Sequence, residues 1–455
     1  MLLSADLLAA RHRSAFLDRM EDGDVALFPG ASLATRNHDV DFPFRQESNF
    51  WYLTGCPEPE AWLILAKGID ALPEAELFVL PRDRSREIWN GRRLGPEGAR
   101  EALGFPAARE NSEFAAAAGH ALAQARRAWV RLGAHAGLDA IVRERLEELR
   151  RRVRTGVEPP EVLLDPTPTL GELRLHKAPE ELAWMRRAAA VTAEAHLLAM
   201  ALTAPGRHEY EVEALLDYVF RRNGGDGAGW AYPPIVAGGA NACILHYQVN
   251  ADPLRAGDLL LVDAGAEFGH YACDVTRTWP VSGRFEGPAR RLYEIVLAAQ
   301  EAAIARCRVG VPFSEVHDVA VRTLCEGLIE VGLLRGSLDQ VLASGDWRRF
   351  YPHNTSHWLG LDVHDAGRYV VDGASRPLEV GMVLTVEPGL YVQPDDDEAP
   401  EEFRGIGVRI EDDVHVTGDE PEVLTAAVVK EVEAVEDACA QELEALPSLD
   451  SPLPA

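Results

Sequence analysis

LLLVDAGAEFGHYACDVTRTWPV, residues 259–281, contains two apolar runs that each carry an aspartate at one end. Asp263 closes the first run, and Asp274 opens the second. Gly269 lies between them as a turn residue, which is typical of a β-hairpin. The pattern predicts that a hairpin brings the two carboxylates together at one end of a sheet.

Two further carboxylates interrupt apolar runs later in the chain. Glu387 lies in MVLTVEPG (382–389) and Glu411 in GVRIEDDVHV (407–416), and we predict that each run is a strand. A buried carboxylate is costly unless it is paired or bound to a cation. Four carboxylates in one core would repel one another, whereas one or two divalent cations would make the same cluster favourable.

A histidine-rich segment, HNTSHWLGLDVHD (353–365), could supply an imidazole to this cluster. Mostly oxygen ligands with one imidazole suit Mn²⁺, or Co²⁺, Fe²⁺ or Zn²⁺ according to availability. Each acid taken alone is more often a strand-end or surface carboxylate. The pattern therefore indicates a metal site without proving that the ligands meet.

Composition narrows the class of protein. The formal charge of −28 argues against nucleic acid or an anionic membrane as a partner. Six scattered cysteines without a CxxC pair indicate reduced thiols in a cytoplasmic protein. The N-terminal MLLSADLLAARHR lacks the features of a signal peptide, and no stretch reaches the roughly 18–20 apolar residues of a membrane span.

The first part of the chain has the pattern of an α/β domain. Residues 21–80 alternate the apolar runs VALFPG, FWYLTG, AWLILAKG and ELFVLP with turn signals, and helix-like segments follow at 97–154. The Pro- and Thr-rich EPPEVLLDPTPTLGE (158–172) interrupts both patterns, and we interpret it as a linker. The sequence thus predicts a smaller N-terminal domain over residues 1–172.

The second part, residues 173–445, has the pattern of an α+β domain. A helix is predicted from Pro179, which suits a first helical turn, and further helices at 286–307 and 313–334. Long separations between the candidate strands argue against βαβ repetition. Residues 446–455 form a Pro- and Ser-rich tail.

Five segments resemble, in the usual order, the metal-ligand motifs of the pita-bread metallopeptidases. They are VDAG, DVTRTWPVSGRF, SHWLGLDVHD, TVEPGLY and GVRIEDDV. The resemblance implies a C-terminal pita-bread (creatinase/aminopeptidase) catalytic domain that binds two divalent ions, most often manganese. The implied ligands are Asp263, Asp274, His357, Glu387 and Glu411.

The N-terminal half is similar to one branch of that family. RNHDVDFPFRQESNFWYLTGCPEPEAWLIL and SREIWNGRRLG resemble the N-terminal domain of aminopeptidase P, and the resemblance extends through YPPIVAGGANACILHY to cover nearly residues 1–440. The branch implies a homo-oligomer, dimer or tetramer, assembled through this domain. One departure is HNTSH, where many members carry HGLSH or HGxGH; it preserves the spacing of His353 and His357 but changes the loop between them.

The resemblance also implies a mechanism. A hydroxide held between the two ions attacks the carbonyl group before proline, and Glu387 carries the proton to the departing proline nitrogen. His246 and His364 then steady the carbonyl oxygen and the tetrahedral intermediate. Either histidine has the alternative interpretation of a solvated side chain without a catalytic role.

Further residues are implied to line the substrate pocket or to orient ligands. His353, Tyr391 and Arg409 belong to this set. Arg409 and Glu411 lie two apart on one predicted strand face, so charge pairing could orient the ligand. Trp89 in EIWNG is either an ordinary core aromatic or, as the resemblance implies, a side chain that reaches a neighbouring subunit's active site.

Three functions stay open on the sequence. Aminopeptidase P removes the first residue from Xaa-Pro-Yaa peptides, whereas prolidase cuts Xaa-Pro dipeptides and must hold the terminal carboxylate, for which Arg368 and Arg404 are candidates. A non-catalytic peptide- or protein-binding relative typically loses metal ligands, and all five ligand types stand here. HEYEV (208–212) lacks the second histidine of HExxH, and no GxSxG occurs. The N-terminal motifs favour aminopeptidase P.

Overall fold

The computed structural model describes residues 5–227 and 229–441. The chain divides into two compact units, Met1–Leu173 and Arg174–Ala455. The predicted tail at 446–455 lies outside the described residues. Within the described ranges, no helix has both the length and the apolar character that a membrane span requires.

The first part of the chain alternates short strands with helices. The helices are α1 (Ala5–Leu17), α2 (Ser48–Thr54), α3 (Arg84–Asn90), α4 (Gly95–Leu103), α5 (Phe114–Gln124), α6 (Ala136–Arg152) and α7 (Thr167–Leu175). The strands are β1 (Asp24–Pro29), β2 (Thr35–Asn37), β3 (Val40–Asp41), β4 (Trp62–Lys67), β5 (Ala75–Val79), β6 (Ala107–Glu110), β7 (Arg127–Trp129) and β8 (Val162–Leu164).

Six of these strands form one mixed sheet in the order β6-β5-β4-β1-β7-β8. Its core combines β1, β4 and β5 with the apolar faces of α5 and α6. In α6 the buried residues Leu138, Val142, Leu146 and Leu149 recur at helical spacing, so one face packs inward while the arginines and glutamates stay outside. The predicted α/β character of this unit is confirmed.

Two segments have a conformation that the sequence patterns did not specify, and the second of them was interpreted as a linker. FWYLTG is helical, because the Glu47 side chain accepts the Phe50 N–H at 2.7 Å at the start of α2, and Gly55 ends the helix in the left-handed region. The segment 158–172 is not an irregular linker. It contains β8, which pairs in parallel with β7, and most of α7. Local composition did not reveal these tertiary partners.

The second unit is larger. Its helices are α8 (Pro179–Leu202), α9 (Glu209–Arg222), α10 (Gly287–Ile304), α11 (Phe313–Glu330), α12 (Leu338–Ser344) and α13 (Val432–Cys439). Its strands are β9 (Ile235–Gly238), β10 (Leu259–Asp263), β11 (Glu267–Phe268), β12 (Tyr271–Ala272), β13 (Thr276–Pro280), β14 (Val370–Val371), β15 (Ala374–Ser375), β16 (Val383–Val386), β17 (Gly389–Val392), β18 (Ile406–Arg409), β19 (Asp412–His415) and β20 (Glu422–Val423).

The three predicted helices of this unit are confirmed as α8, α10 and α11. Helix α8 begins at Pro179, and the Glu181 carboxylate accepts the Ala178 N–H at 2.7 Å, so the first turn carries both a compatible proline and a side-chain acceptor for the N–H that precedes it. The helices pack with the sheets around one large apolar core that includes Trp279, Tyr293 and Phe350.

The predicted hairpin is confirmed. Strands β10 and β13 pair antiparallel, and Asp263 lies opposite Thr276. Gly269 turns the chain between them at a φ of 61°, where a Cβ atom would lie 1.7 Å from the Trp184 ring. Asp274 stands just before β13 rather than inside it, so it projects at the end of the ladder.

The prediction of one strand over 407–416 is wrong. Strand β18 ends at Arg409 and pairs with β17, whereas β19 pairs with β16 in a different sheet. Between them the Ile410 and Glu411 N–H groups donate to Pro388 O and Thr276 O, outside either ladder. Glu387 likewise follows β16 and precedes β17. Both glutamates therefore stand where the chain passes from one sheet to the other. Their side chains are not bound by the alternating up-and-down directions of a regular strand.

Candidate metal centre

The predicted site residues of the second unit meet at one cleft of about 1090 Å³. Its lining includes all five predicted ligands and four of the other predicted site residues, which are Asp263, Asp274, His357, Glu387, Glu411, His246, His353, His364 and Arg409. Tyr391 is buried behind this lining and bonds to two of its members. Trp89 belongs to the first unit, where its side chain on α3 is 86 % exposed.

Tyr232 links the two aspartates of the hairpin. Its phenol oxygen lies 2.6 Å from Asp263 Oδ1 and 2.5 Å from Asp274 Oδ1. A phenol supplies one proton, so a second short contact needs a protonated carboxyl group on the other side. Burial, reinforced by the charge of Asp263, raises the pKa of Asp274 to about 8, which is consistent with that proton.

His357 presents a free lone pair to these carboxylates. Its Nδ1 donates to Trp358 O at 3.0 Å, so Nε2 is the unprotonated nitrogen of the neutral ring. Nε2 lies 3.5 Å from Asp274 Oδ2 and 3.6 Å from Glu387 Oε1. Burial, reinforced by His364, lowers the pKa of His357 to about 4 and keeps the ring neutral, as a metal ligand must be.

The two glutamates are held by neighbouring segments. The Glu387 N–H donates to Thr355 O at 2.8 Å, and the Thr276 hydroxyl donates to Glu411 Oε2 at 2.7 Å. Burial raises the pKa of both glutamates well above the ordinary range, and neighbouring carboxylates add to the shift. Both side chains are therefore poised to exchange protons for a bound cation.

The donor set fits divalent cations. Five carboxylates line the cleft, the four predicted ligands and Asp318, while in the described part of the chain Arg409 is the single arginine or lysine among the lining residues. Ligand atoms of Asp274, His357 and Glu411 all lie within 4.8 Å of one another. A bound cation would lower the free-energy cost of burying these carboxylates. A set of oxygen and imidazole ligands suits divalent metals.

The comparisons with known proteins agree with this chemistry. Residues 183–418 match the model of Metallopeptidase family M24, and residues 9–130 match that of the Aminopeptidase P N-terminal domain. The Xaa-Pro aminopeptidase of Escherichia coli is 45% identical over 94% of this chain and 96% of its own length. The chain belongs to metallopeptidase family M24. Within that family it falls in the Xaa-Pro aminopeptidase branch, as the sequence motifs predicted.

Solved structures of aminopeptidases are similar to this chain over nearly its whole length. Aminopeptidase PepP of Pseudomonas aeruginosa has a TM-score of 0.94 at 42% identity, over 97% of this chain and 99% of that one. A zinc-substituted Escherichia coli aminopeptidase P in complex with product has a TM-score of 0.92 at 43% identity, over 96% and 99%. The predicted fold, a pita-bread domain preceded by a smaller α/β domain, is thereby confirmed, and the chain is a hydrolase of the metallopeptidase class.

One predicted pairing in this M24 site is wrong. Arg409 donates to Asp263 Oδ2 at 2.6 Å, and no ion pair joins it to Glu411 in the described structure. The strand break at Ile410 removes the shared face on which that prediction rested. Arg409 also donates to Thr276 Oγ1 and Tyr391 OH, each at 3.0 Å.

His353 and Tyr391 form one continuous hydrogen-bonded wall with Arg409. Tyr391 OH accepts from Arg409 and lies 2.8 Å from His353 Nε2, to which it can donate its proton. His353 Nδ1 lies 2.8 Å from Asn354 O. Burial and the charge of Arg409 lower the pKa of His353 to about 3, so the ring is neutral.

The remaining histidines occupy the open side of the cleft. His364 packs edge-on against His357 with ring centroids 4.3 Å apart, and His246 reaches the cleft from the segment after β9. Asp365, next to His364, is anchored by Lys177 at 3.0 Å and by Arg174. This buried anchor fixes the C-terminal end of the segment 353–365.

Several site residues were missed by the sequence interpretation. Thr276 lies two residues after Asp274, and that period-two spacing could have revealed it. Tyr232 and Asp413, which accepts the Asp274 N–H at 3.1 Å, come from segments whose approach no local pattern indicates. His317 and Thr355 also line the cleft and bond to each other, although they come from different elements.

Proposed function

We propose that this chain is a metal-dependent Xaa-Pro aminopeptidase, which removes the first residue from peptides with proline in second position. The observation that carries the proposal is the meeting of four carboxylates and one neutral imidazole in a cleft. Relatives from Escherichia coli and Haemophilus influenzae, 45% and 44% identical, are named Xaa-Pro aminopeptidases. An Escherichia coli aminopeptidase P structure carries the inhibitor Pro-Leu.

The cofactor in this proposal is a pair of divalent ions, with manganese as the first choice. The residues that would hold them are Asp263, Asp274, His357, Glu387 and Glu411. When bound, such ions supply polarisation of the scissile carbonyl group and acidity of a water molecule. The surplus of buried carboxylates over arginine supports two ions rather than one.

In the proposed reaction Glu387 is the proton carrier. Its Oε1 faces His357 and its Oε2 lies 3.7 Å from His353 Nδ1, so the carboxylate spans the middle of the cleft. A carboxylate at this position can accept a proton from water and return it to the departing proline nitrogen. His246 and His364 would donate N–H groups to the oxygen on which negative charge develops.

Proline preference follows from the bond that is cut. The bond before proline is a tertiary amide without N–H, so an enzyme that recognises an extended backbone loses a donor there. In this cleft the groups next to the proposed position of proline are histidine and tyrosine side chains. They can contact the proline ring without a hydrogen bond from a peptide N–H. We assign His246 and His353 to the surface that contacts the proline ring.

Two arginines considered for a prolidase do not support that alternative. Arg368 is exposed and absent from the cleft lining, and Arg404 donates to Ala399 O and Asp397 O. Neither is positioned within this chain's cleft to hold the carboxylate of a dipeptide. We therefore favour cleavage of Xaa-Pro-Yaa peptides.

We also propose that the protein is a cytoplasmic homo-oligomer. Exposed Ile88 and Trp89 on α3 offer an apolar surface in the first unit for a second copy. All six cysteines are free, and five of them are buried, which suits a reducing compartment.

One assay tests the proposed activity. Metal-stripped protein, with and without Mn²⁺, is incubated with Arg-Pro-Pro and with the dipeptide Ala-Pro, and released amino acids are measured. We expect Mn²⁺-dependent release of arginine and little cleavage of Ala-Pro. Cleavage of the dipeptide alone would move the assignment to prolidase, and no turnover with metal bound would indicate a binding protein. Glu387→Gln should be inactive, whereas the exposed Glu379→Gln should match the wild type.

A further inference from the structure

The segment in which this sequence departs from HGLSH carries a hydroxyl group inside the protein. Thr355 is fully buried, and its Oγ1 lies 2.7 Å from Tyr351 OH and 2.8 Å from His317 Nδ1. His317 belongs to α11, far away in sequence, and its side chain lines the cleft. The hydroxyl therefore ties a helix residue to the loop that supplies His353 and His357.

The direction of the hydrogen bonds among Tyr351, Thr355 and His317 follows from the need of each buried polar group for a partner. Tyr351 is 1 % exposed, and Thr355 Oγ1 is the acceptor within reach of its hydroxyl in the described structure, so Tyr351 donates. The proton of Thr355 must then point to His317 Nδ1, which accepts it. His317 is consequently the tautomer that carries its proton on Nε2. Among the described residues, no side chain or carbonyl group accepts from that Nε2–H.

His317 lies beside a row of aromatic and imidazole rings in the cleft. Its ring centroid is 5.7 Å from that of Tyr351, whose ring packs edge-on against His353 at 4.7 Å. His353 in turn feels the charge of Arg409, while His317 and His353 are both neutral rings. Asp318, the residue after His317, also lines the cleft. The Nε2–H of a neutral His317 is itself a donor, so it suits a carbonyl or carboxylate oxygen of the peptide rather than the cationic α-amine, which has no lone pair to accept it.

We propose that His317 is a specificity-determining residue that recognises the peptide beyond proline. Its Nε2–H donates to an oxygen of the leaving fragment, either the proline carbonyl oxygen or the carbonyl or carboxylate of the third residue. Thr355 is a positioning residue, because it selects the tautomer and fixes the ring. The inference rests on the proposed function, since it takes His353 as the boundary between the scissile bond and the leaving fragment.

Two substrates separate this role from general support of the site. Ala-Pro-Leu carries oxygens beyond the scissile bond, whereas alanyl-pyrrolidide has the same tertiary amide and ends at the ring. The Mn²⁺-loaded wild type, His317→Phe and His317→Gln are compared for kcat and KM on both compounds. If alanyl-pyrrolidide turns over too slowly for kcat and KM to be measured, its affinity is taken from the inhibition constant with which it competes against Ala-Pro-Leu.

We expect His317→Phe to lower kcat/KM for Ala-Pro-Leu by about 3–10-fold, mostly through KM, as for the loss of one net hydrogen bond. The value for alanyl-pyrrolidide should stay unchanged, and His317→Gln, whose Nε2 can donate from a similar position, should recover part of the loss. Equal losses on both compounds, or no loss on either, would overturn the inference. Wild-type protein that leaves Ala-Pro-Leu intact would instead contradict the proposed function.

The Thr355 variants test the positioning step. Thr355→Val keeps the shape but removes the hydroxyl, so the His317 tautomer is no longer selected, and selectivity should shift toward that of His317→Phe. Thr355→Ser retains the hydroxyl and should keep the wild-type ratio of the two kcat/KM values. A wild-type ratio in Thr355→Val, measured on protein with an unchanged metal content, would contradict the role of the hydroxyl.

Discussion

Arg409 forms a 2.6 Å ion pair with Asp263, the carboxylate at the end of β10. The same guanidinium group donates to Thr276 and to Tyr391, so its planar fork joins the hairpin to the wall formed with His353. Both partners of the ion pair are largely buried. The position of Asp263 therefore depends on a residue that comes from another sheet.

Arg409→Met should lower kcat/KM for Ala-Pro-Leu by about 100-fold or more, because breaking a buried pair by removing one partner costs about 3–5 kcal/mol. Steady-state kinetics with saturating Mn²⁺ measure the effect. Arg409→Lys should recover little, since an ammonium group cannot reach three acceptors in one plane. Full activity in the lysine variant would show that charge alone is needed.

Thr276→Val should weaken metal binding by about 10–100-fold, because the Thr276 hydroxyl orients Glu411 and also accepts from Arg409. Competition with a chromophoric chelator gives the affinity directly. Thr276→Ser keeps the hydroxyl and is the matched control, so a similar loss in both variants would assign the effect to packing.

Removal of metal should lower the thermal unfolding midpoint. Without cations the cleft holds carboxyl groups whose pKa values are raised by burial and mutual repulsion. Added Mn²⁺ at 100 times its dissociation constant should contribute about 2.7 kcal/mol to stability. Thermal scans with chelator and with Mn²⁺ measure the shift, and coincident midpoints would contradict cation binding in this cleft.

The buried His196 should make the protein sensitive to mild acid. Burial, aided by the charge of Arg277, lowers the pKa of His196 to about 4, while the unfolded chain takes up a proton near pH 6.5. A lowered histidine pKa destabilises the folded state as pH falls through this window and has no effect above it. At pH 5 the cost is about 2 kcal/mol.

His196→Gln tests this expectation, because the amide can still donate to Ala264 O, as His196 Nε2 does at 2.9 Å. We expect the unfolding midpoint of the wild type to fall relative to that of the variant between pH 7 and pH 5. Parallel midpoints over that range would mean that His196 does not titrate during unfolding.

Trp89→Ser together with Ile88→Ser should reduce the molar mass measured by light scattering. The two substitutions remove exposed apolar area on α3 that a second copy of the chain would bury. Leu132→Ser is the matched control, because Leu132 is also an exposed apolar residue of the first unit, 55 % accessible. The same mass in the double variant and the wild type would rule out α3 as a subunit contact.

Sequence patterns predicted those features that a single segment encodes. The hairpin from Asp263 to Thr276 and the helix from Pro179 follow from local period and turn chemistry, and the structure contains both. Glu411 was expected inside a strand, and the break beside it arises from hydrogen bonds to Pro388 and Thr276. No local pattern encodes such partners.

The contacts between side chains were harder to predict from the sequence, for the same reason. Tyr232 joins Asp263 to Asp274, and Thr355 joins His317 to Tyr351, through residues far apart in sequence. Such pairs depend on how whole elements pack. Sequence could name the candidate metal ligands, but the order of protons and donors around them required the structure.

Both glutamates of the centre stand where the chain crosses between sheets, and both follow Asp263 and Asp274 by more than a hundred residues. During synthesis, Asp263 and Asp274 leave the ribosome long before Glu411 does. A nascent chain therefore exposes part of the acidic cluster before the residues that complete it exist. A cation that needs both Asp263 and Glu411 as ligands can be held by its full ligand set only after Glu411 has been synthesised.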